Sequence, residues 1–310
     1  MDITAIGEVL IDLTQTGVNE YKVPTFAANP GGAPANVAVS AARLGASAAF
    51  LGKVGRDGFG AYLTSVLQEN GVDVSGLCTG EAATTMAIVS VDKTGERDFR
   101  FVRGADCELR EEEVDLELIR GSRFLHFGSV SLTAGAARQT TLFAAQKARE
   151  MGVLVSYDPN YRQALWSSEA EAVEWMKKPL PLVDVLKISE EELTLVTGTA
   201  DLAEGTKALC DLGITLVLVT LGGDGAFYRL GDKTGRVPGV KTTIADTNGA
   251  GDTFLGAVLS RLCLRGEKPL AGLTAAEVET VLTFANRAAA KTCSRSGAIP
   301  AMPTLAELEN

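Results

Sequence analysis

The sequence predicts an α/β fold: a three-layer sandwich whose mostly parallel sheet is covered by helices on both faces and carries a small β-lid. Three observations predict it. Short apolar or β-branched runs alternate with longer helix-period segments, two regions break that rhythm with hairpin patterns, and glycine clusters stand where strands give way to helices.

Buried strands are predicted over 3–9, 48–54, 123–127, 153–157, 183–188 and 214–220. The last, Ile214-Thr215-Leu216-Val217-Leu218-Val219-Thr220, is apolar enough to lie mid-sheet. Crossover helices are predicted over 34–44, 58–70, 135–151, 190–197 and 206–212, where apolar residues recur at helical spacing, as with Tyr62, Leu63, Val66 and Leu67. The last third holds two long helical patterns, 252–265 and 275–292, separated by a loop containing glycine and proline. Residues 11–28 hold short alternating runs around Gly17-Val18-Asn19-Glu20, and 84–91 and 97–102 flank the turn Asp92-Lys93-Thr94-Gly95-Glu96. Together these predict a small antiparallel sheet projecting from the main body. No repeat, low-complexity tract or composition shift marks a linker, so 1–310 reads as one domain with a discontinuous lid from about 11–28 and 84–103.

Composition narrows the function. The 310 residues are 46% hydrophobic and 22% charged, a globular balance, and no apolar run approaches the roughly 18 residues of a membrane-spanning helix. The opening Met1-Asp2-Ile3-Thr4-Ala5 has an acid where a targeting segment wants bases, so a cytoplasmic protein is expected. A net charge of −10 argues against nucleic-acid or anionic-membrane partners, which require local excesses of lysine and arginine. The five cysteines are widely spaced, without a C-x-x-C pair, and read as small buried hydrophobes. His126 is the only histidine and lies in an apolar strand, where a core role is expected over a ligand role. The acidic run from Glu108 to Glu117 reads as the solvated face of a helix start.

The sharpest motif is Asp246-Thr247-Asn248-Gly249-Ala250-Gly251-Asp252-Thr253-Phe254, followed directly by a helical pattern. Small residues at Gly249, Ala250 and Gly251 let backbone N–H groups converge at a helix N-terminus, whose partial positive charge attracts phosphate oxygens. Asp252 stands at that positive end, which favours its ionised form and places a carboxylate beside a transferring phosphoryl group. An ordinary N-cap would account for Asp252 and one glycine but leaves the rest of the string unexplained. The dinucleotide fingerprint fails because Phe254 stands where the third glycine belongs, and no Walker A string occurs.

Two further glycine clusters each fit two readings. Gly31-Gly32-Ala33-Pro34-Ala35-Asn36 suits a backbone-lined floor for a polyhydroxylated ligand, with Asn36 donating and accepting, or a loop with a helix start at Pro34. Thr220-Leu221-Gly222-Gly223-Asp224-Gly225-Ala226 follows the most apolar strand, at the end where open α/β sheets bind ligands, or is simply a tight hairpin turn.

The combination resembles the ribokinase-like carbohydrate kinases over nearly the whole chain. The matching residues are Gly7-Glu8-Val9-Leu10-Ile11-Asp12, the loop from Gly31 to Asn36, Asp158-Pro159-Asn160-Tyr161-Arg162, Ser189-Glu190-Glu191-Glu192, the loop from Thr220 to Gly225 and the string from Asp246 to Asp252. The resemblance implies a sugar kinase with ATP and Mg2+. Asp252 would accept the proton of the attacking hydroxyl, and the N–H groups of Gly249, Ala250, Gly251 and Asp252 would stabilise the phosphoryl oxygens. It further implies sugar contacts from Asp12, Gly31, Gly32, Asn36, Phe101, Arg103, Arg162 and Asp252. On the nucleotide side it implies Lys187, Ser189, Thr220, Gly222, Gly223, Gly225, Gly251 and Asn286. Glu192 would hold magnesium through water, and Asp246, Asn248, Thr292, Arg295 and Gly297 form a candidate site for a monovalent cation such as K+.

Two departures bear on chemistry. Ser189 stands where ribokinases carry asparagine, which leaves Lys187 to supply charge there. Ala33 replaces the lysine of the ribokinase glycine loop, and no acid stands near Phe127-Gly128-Ser129, which argues against ribose. The strings Phe124-Leu125-His126-Phe127-Gly128-Ser129, Arg97-Asp98-Phe99-Arg100-Phe101-Val102-Arg103 and Asp158-Pro159-Asn160-Tyr161-Arg162-Gln163-Ala164-Leu165-Trp166 are similar to bacterial and plant fructokinases, and less closely to 2-keto-3-deoxygluconate kinases. The expected partners are therefore a ketohexose, most simply fructose, and ATP. The sugar acid is the alternative, because two arginines suit a carboxylate, and a non-catalytic sugar or nucleotide sensor is the alternative of another class. Exposed lid edges leave a homodimer open.

Overall fold

The computed structural model describes residues 1–91 and 97–309; the predicted turn from Asp92 to Glu96 lies outside the described residues. The strands are β1 (Ile3–Ile6), β2 (Leu10–Val18), β3 (Pro24–Gly31), β4 (Ala48–Gly55), β5 (Val72–Asp73), β6 (Leu77–Gly80), β7 (Met86–Val91), β8 (Arg97–Val102), β9 (Phe124–Gly128), β10 (Leu154–Asp158), β11 (Val185–Ser189), β12 (Leu216–Thr220), β13 (Ala226–Leu230) and β14 (Lys233–Val237). The helices are α1 (Ala33–Arg43), α2 (Gly58–Glu69), α3 (Leu116–Arg120), α4 (Ala137–Glu150), α5 (Glu169–Lys177), α6 (Glu190–Thr197), α7 (Leu202–Cys210), α8 (Ala250–Cys263), α9 (Ala275–Cys293) and α10 (Leu305–Glu309). Among the described residues no helix is long and apolar enough to cross a membrane.

The main sheet runs β14-β13-β12-β11-β10-β9-β1-β4-β5, with β6 pairing β4. Every pairing from β12 across to β5 is parallel, whereas β12–β13 and β13–β14 are antiparallel. Buried parallel strands must be apolar on both faces, which is why β12 is apolar up to Thr220 and β9 is interrupted only by His126 before its closing glycine. One core cluster packs α4, α5, α6 and α7 against one face through residues such as Ala144, Met176, Leu193 and Leu209. Another packs α1, α8 and α9 against the opposite face through Val37, Leu255, Val258 and Leu282. These are the three layers expected. His126 sits in β9, buried, with Nδ1 3.2 Å from Ser156 Oγ, and burial lowers its pKa to about 3, so it stays neutral. The run from Glu108 to Glu117 is not one helical face: short 3-10 turns precede α3, and Glu113 pairs with Lys53 at 2.6 Å.

The second sheet, β3-β2-β7-β8, corrects one expectation. Its two hairpins are antiparallel internally, but β2 and β7 pair in parallel, so the sheet is mixed. The reason is topological. β2 continues from β1 and β7 from β6, and both leave the same ends of parallel strands of the main sheet, so the first strand of each hairpin runs the same way.

The chain reverses direction across the sheet at β1, with β4 on one side and β9 on the other. Open α/β sheets bind ligands at such a switch point, beyond the carboxyl ends of the strands. Gly7, Glu8, Asp158 and Ser189 lie at those ends, and Lys187 lies two residues before the end of β11.

Candidate active site

A cleft of about 610 Å³ opens between the carboxyl ends of the parallel strands and the second sheet. Its lining includes Asp12, Gly32, Asn36, Phe101, Arg162, Lys187, Asp246, Asn248, Gly249, Gly251, Asp252 and Gly297. At its centre, Asn36 Nδ2 donates to Asp252 Oδ2 at 2.8 Å, both side chains buried. Helix packing explains the pairing. One turn further along, Gly256 faces Ser40 so closely that a Cβ at Gly256 would lie 2.6 Å from the Ser40 side chain, and Ser40 Oγ donates to Thr253 O at 3.1 Å. Residues 36 and 40 share a face of α1, as 252 and 256 share one of α8, so close contact at the second pair sets the first.

The start of α8 has the predicted anion-attracting form. Gly249 is the N-cap in the left-handed region, φ 75°, and no side chain caps the helix. A Cβ on Gly251 would stand 3.1 Å from Lys187 Nζ, so a cation faces the same turn. Lys187 is itself held by Asp158 at 2.8 Å, with both side chains buried. Burial, the Asp158 charge and like effects raise Asp252 to about 6, against the lowering effects of Asn36, Lys187 and Arg162. The helix terminus therefore does not keep this carboxyl at an ordinary acidity, because desolvation outweighs it. A carboxylate near 6 is mostly ionised at neutral pH yet basic enough to take a hydroxyl proton as it is released.

On the opposite wall, burial raises Asp12 to about 6, opposed by a hydrogen bond with Asn248 and by Arg162. Gly31 makes room for it, since a Cβ there would fall 2.5 Å from Asp12 Oδ2. Arg162 is exposed at the rim, and among the described residues it donates only to Tyr161 O, at 3.2 Å.

Several other expected residues make contacts within the scaffold. The Arg103 guanidinium donates to Asp106 Oδ2 at 2.6 and 3.1 Å and to Thr133 Oγ1 at 2.6 Å, so it is paired with a buried carboxylate and is not itself among the residues lining the cleft. Glu192 accepts from Ser189 N at 2.8 Å and Tyr161 N at 2.7 Å, and Ser189 completes a capping box for α6. Asn286 Nδ2 donates to the carbonyls of Val237 and Pro238. Thr220, Gly222, Gly223 and Gly225 form the β12–β13 turn, outside the cleft lining. Asp246 accepts from Asn248 N at 3.0 Å and Gly297 N at 3.2 Å, which stitches the loop before α8 to the end of α9. The Thr292 hydroxyl instead meets Thr253 Oγ1 at 3.0 Å, and Arg295 pairs with Glu307. Sequence reading assigned no role to Glu8 or Asp158, although an acid at the end of a buried apolar run was a usable signal for both.

The profile described as "pfkB family carbohydrate kinase" matches residues 1–305. The chain belongs to that family. Its relatives include Fructokinase-1 of Oryza sativa subsp. japonica, 41% identical over 312 residues that cover 99% of this chain and 96% of the relative, and Fructokinase-1 of Zea mays, 42% identical over 317 residues, 99% and 96%. The fructokinase of Xylella fastidiosa with bound ATP superposes with a TM-score of 0.93 at 32% identity, covering 99% of this chain and 97% of that one. A fructokinase of Vibrio cholerae O395, solved in fructose, ADP and calcium ion bound form, gives 0.88 at 34% identity, covering 100% and 98%. Membership makes the protein an ATP-dependent sugar kinase rather than a non-catalytic sensor on the same scaffold.

Proposed function

We propose that this kinase transfers the γ-phosphoryl group of ATP to a hydroxymethyl oxygen of D-fructose, with Asp252 as the base. The observation that carries the proposal is the buried Asp252 carboxylate, held by Asn36 at the uncapped start of α8 and inside the same cleft as Asp12 and Arg162. The sugar oxygen attacks the phosphorus, its proton passes to Asp252, and the bond to the β-phosphate oxygen breaks to leave ADP. Positioning and electrostatics supply most of the catalysis in such a transfer. Lys187 and the first-turn N–H groups of α8 are assigned to the phosphoryl oxygens, and Asp12, Gly31, Gly32, Asn36, Phe101 and Arg162 to the sugar. The turn of Thr220, Gly222, Gly223 and Gly225, with Ser189 and Asn286 behind it, is assigned to the nucleotide.

The residues fit Mg2+ arriving with the nucleotide. Magnesium keeps several waters and binds through few carboxylates plus phosphates, and each Glu192 oxygen retains a lone pair beyond its one backbone donor. When bound, the ion neutralises phosphate charge. The loop at Asp246 and Asn248 against Gly297, with Thr292 and Arg295 beside it, is the proposed monovalent-cation site, which turnover with and without K+ tests. We assign residues 1–310 to one kinase domain in which 11–28 and 84–103 act as the lid. Exposed Val18, Tyr21, Val23 and Phe26 on the lid favour a homodimer.

Arg103 bears on the rival sugar acid. With Arg103 committed to Asp106, Arg162 is the one arginine lining the cleft among the described residues, and Asp12 faces it. A carboxylate substrate would meet that acid with like charge. Fructose should therefore exceed 2-keto-3-deoxygluconate in kcat/KM by at least about tenfold, or about 1.4 kcal/mol of transition-state binding. A sugar panel with coupled ADP detection measures the ratio, and a preference for the acid reverses the substrate assignment.

A further inference from the structure

Glu8 lies between β1 and β2, buried in the wall of the cleft at 2% exposure. Its Oε1 accepts from Ala33 N at 2.9 Å, and its Oε2 has no hydrogen-bond partner. Helix α1 lacks a side-chain cap of its own, because its N-cap is Gly32. Two close contacts press the same segments together: a Cβ on Gly32 would lie 2.5 Å from Glu8 O, and one on Gly7 2.8 Å from the Pro34 ring. Glu8 thus supplies, from a distant part of the chain, the acceptor that a local Ser, Thr, Asp or Asn normally provides to a helix start. Asn36 lies in the first turn of that helix and donates to Asp252.

We propose that Glu8 is a positioning residue for phosphoryl transfer: by accepting from Ala33 N it fixes the first turn of α1 and thereby holds Asn36 against the Asp252 carboxylate. The proposal rests on Asp252 being the base. The acceptor oxygen is what matters, not the charge. Burial pushes Glu8 up to about 7, with Arg103 and Asp106 the charged groups acting on it, so a neutral carboxyl is accessible near physiological pH and a carboxamide imitates it.

The test compares Glu8→Gln, which keeps the acceptor, with Glu8→Ala, which removes it, using ATP and the sugar of highest kcat/KM. Glu8→Gln should stay within about threefold of the wild type, and Glu8→Ala should lose at least about tenfold in kcat/KM. Freed from Asn36, Asp252 loses a hydrogen bond that stabilises its ionised form. The acidic limb of the kcat/KM profile should then rise by about half a pH unit or more in Glu8→Ala and stay in place in Glu8→Gln. The other charged groups facing Asp252, namely Asp12, Asp158, Arg162 and Lys187, are untouched in both variants. In an Asn36→Ala background, Glu8→Ala should cost less than about threefold further, since coupled sites are non-additive. If Glu8→Ala does not fold, Glu8→Asp, whose carboxyl is drawn back by one methylene, takes its place in each comparison. Equal damage from Gln and Ala, an unmoved acidic limb, or additivity with Asn36→Ala overturns the proposal. Asp252→Asn run alongside separates the two claims: if it is active, the base assignment fails, and if it is inert while the limb stays put, only the role of Glu8 fails.

Discussion

Replacing Asp252 with asparagine keeps the shape of the side chain and an acceptor for Asn36 but removes both the basicity and the buried charge. Its effects on activity and on stability should have opposite signs. Activity should fall at least about a hundredfold, the scale of a lost general base. For stability the sign follows from the raised acidity constant. The folded chain holds this proton up to about pH 6, whereas an ordinary aspartate releases it near 3.8. Between those values the folded state binds more protons than the unfolded one, so stability falls as pH rises through the window and levels off above it. The rise from 3.8 to about 6 corresponds to a penalty of about 3 kcal/mol, complete by pH 8 and roughly half as large at pH 5. Asparagine never ionises and escapes it. Urea denaturation at the two pH values, with steady-state kinetics on the same samples, should show an inactive variant that is more stable than the wild type, by a larger margin at pH 8. A margin that is negative, or that does not grow with pH, would refute the desolvation argument. Residual activity within about tenfold of the wild type would refute the base assignment.

Two further substitutions probe the walls of the cleft. Arg162→Ala should raise KM for the sugar or lower turnover at least about fivefold with an unchanged melting temperature, because an exposed side chain with one backbone contact contributes little to stability; a destabilised variant with normal specific activity would make Arg162 structural. Gly256→Val should force α1 and α8 apart at Ser40, costing about 2 kcal/mol of stability by overpacking. Turnover should drop with it as the Asn36–Asp252 contact lengthens, and full activity in the folded fraction would show that this helix contact does not position the base.

The local signals in the sequence were strong where a residue type answers to its own neighbourhood. Alternation of apolar runs with helical periodicity marks β1, β4, β9, β10, β11 and β12 and most of the helices between them, because burial on two sheet faces or one helix stripe constrains every residue of an element. The glycine string before Asp252 is legible for the same reason: a left-handed N-cap at Gly249 and an uncapped helix start are local geometry. Less was legible where short elements leave no period to read, as with the two-residue β5 and the four-residue β6. What an arginine or carboxylate does depends on which distant segment reaches it first. Nothing near Arg103 in the sequence announces that its guanidinium meets both Asp106 and Thr133 in the fold. Lys187 meets Asp158 only because β10 and β11 are neighbours in the sheet, and Glu8 caps a helix that begins 25 residues later. The parallel meeting of β2 and β7 likewise follows from where β1 and β6 end, not from either hairpin. The sequence by itself determined the layers, the glycine turn before Asp252 and the family resemblance, since these rest on nearest-neighbour sterics and burial. Only the tertiary structure decided which charges face the cleft and how far burial raises Asp252, because pairing and desolvation depend on contacts between residues far apart in the chain.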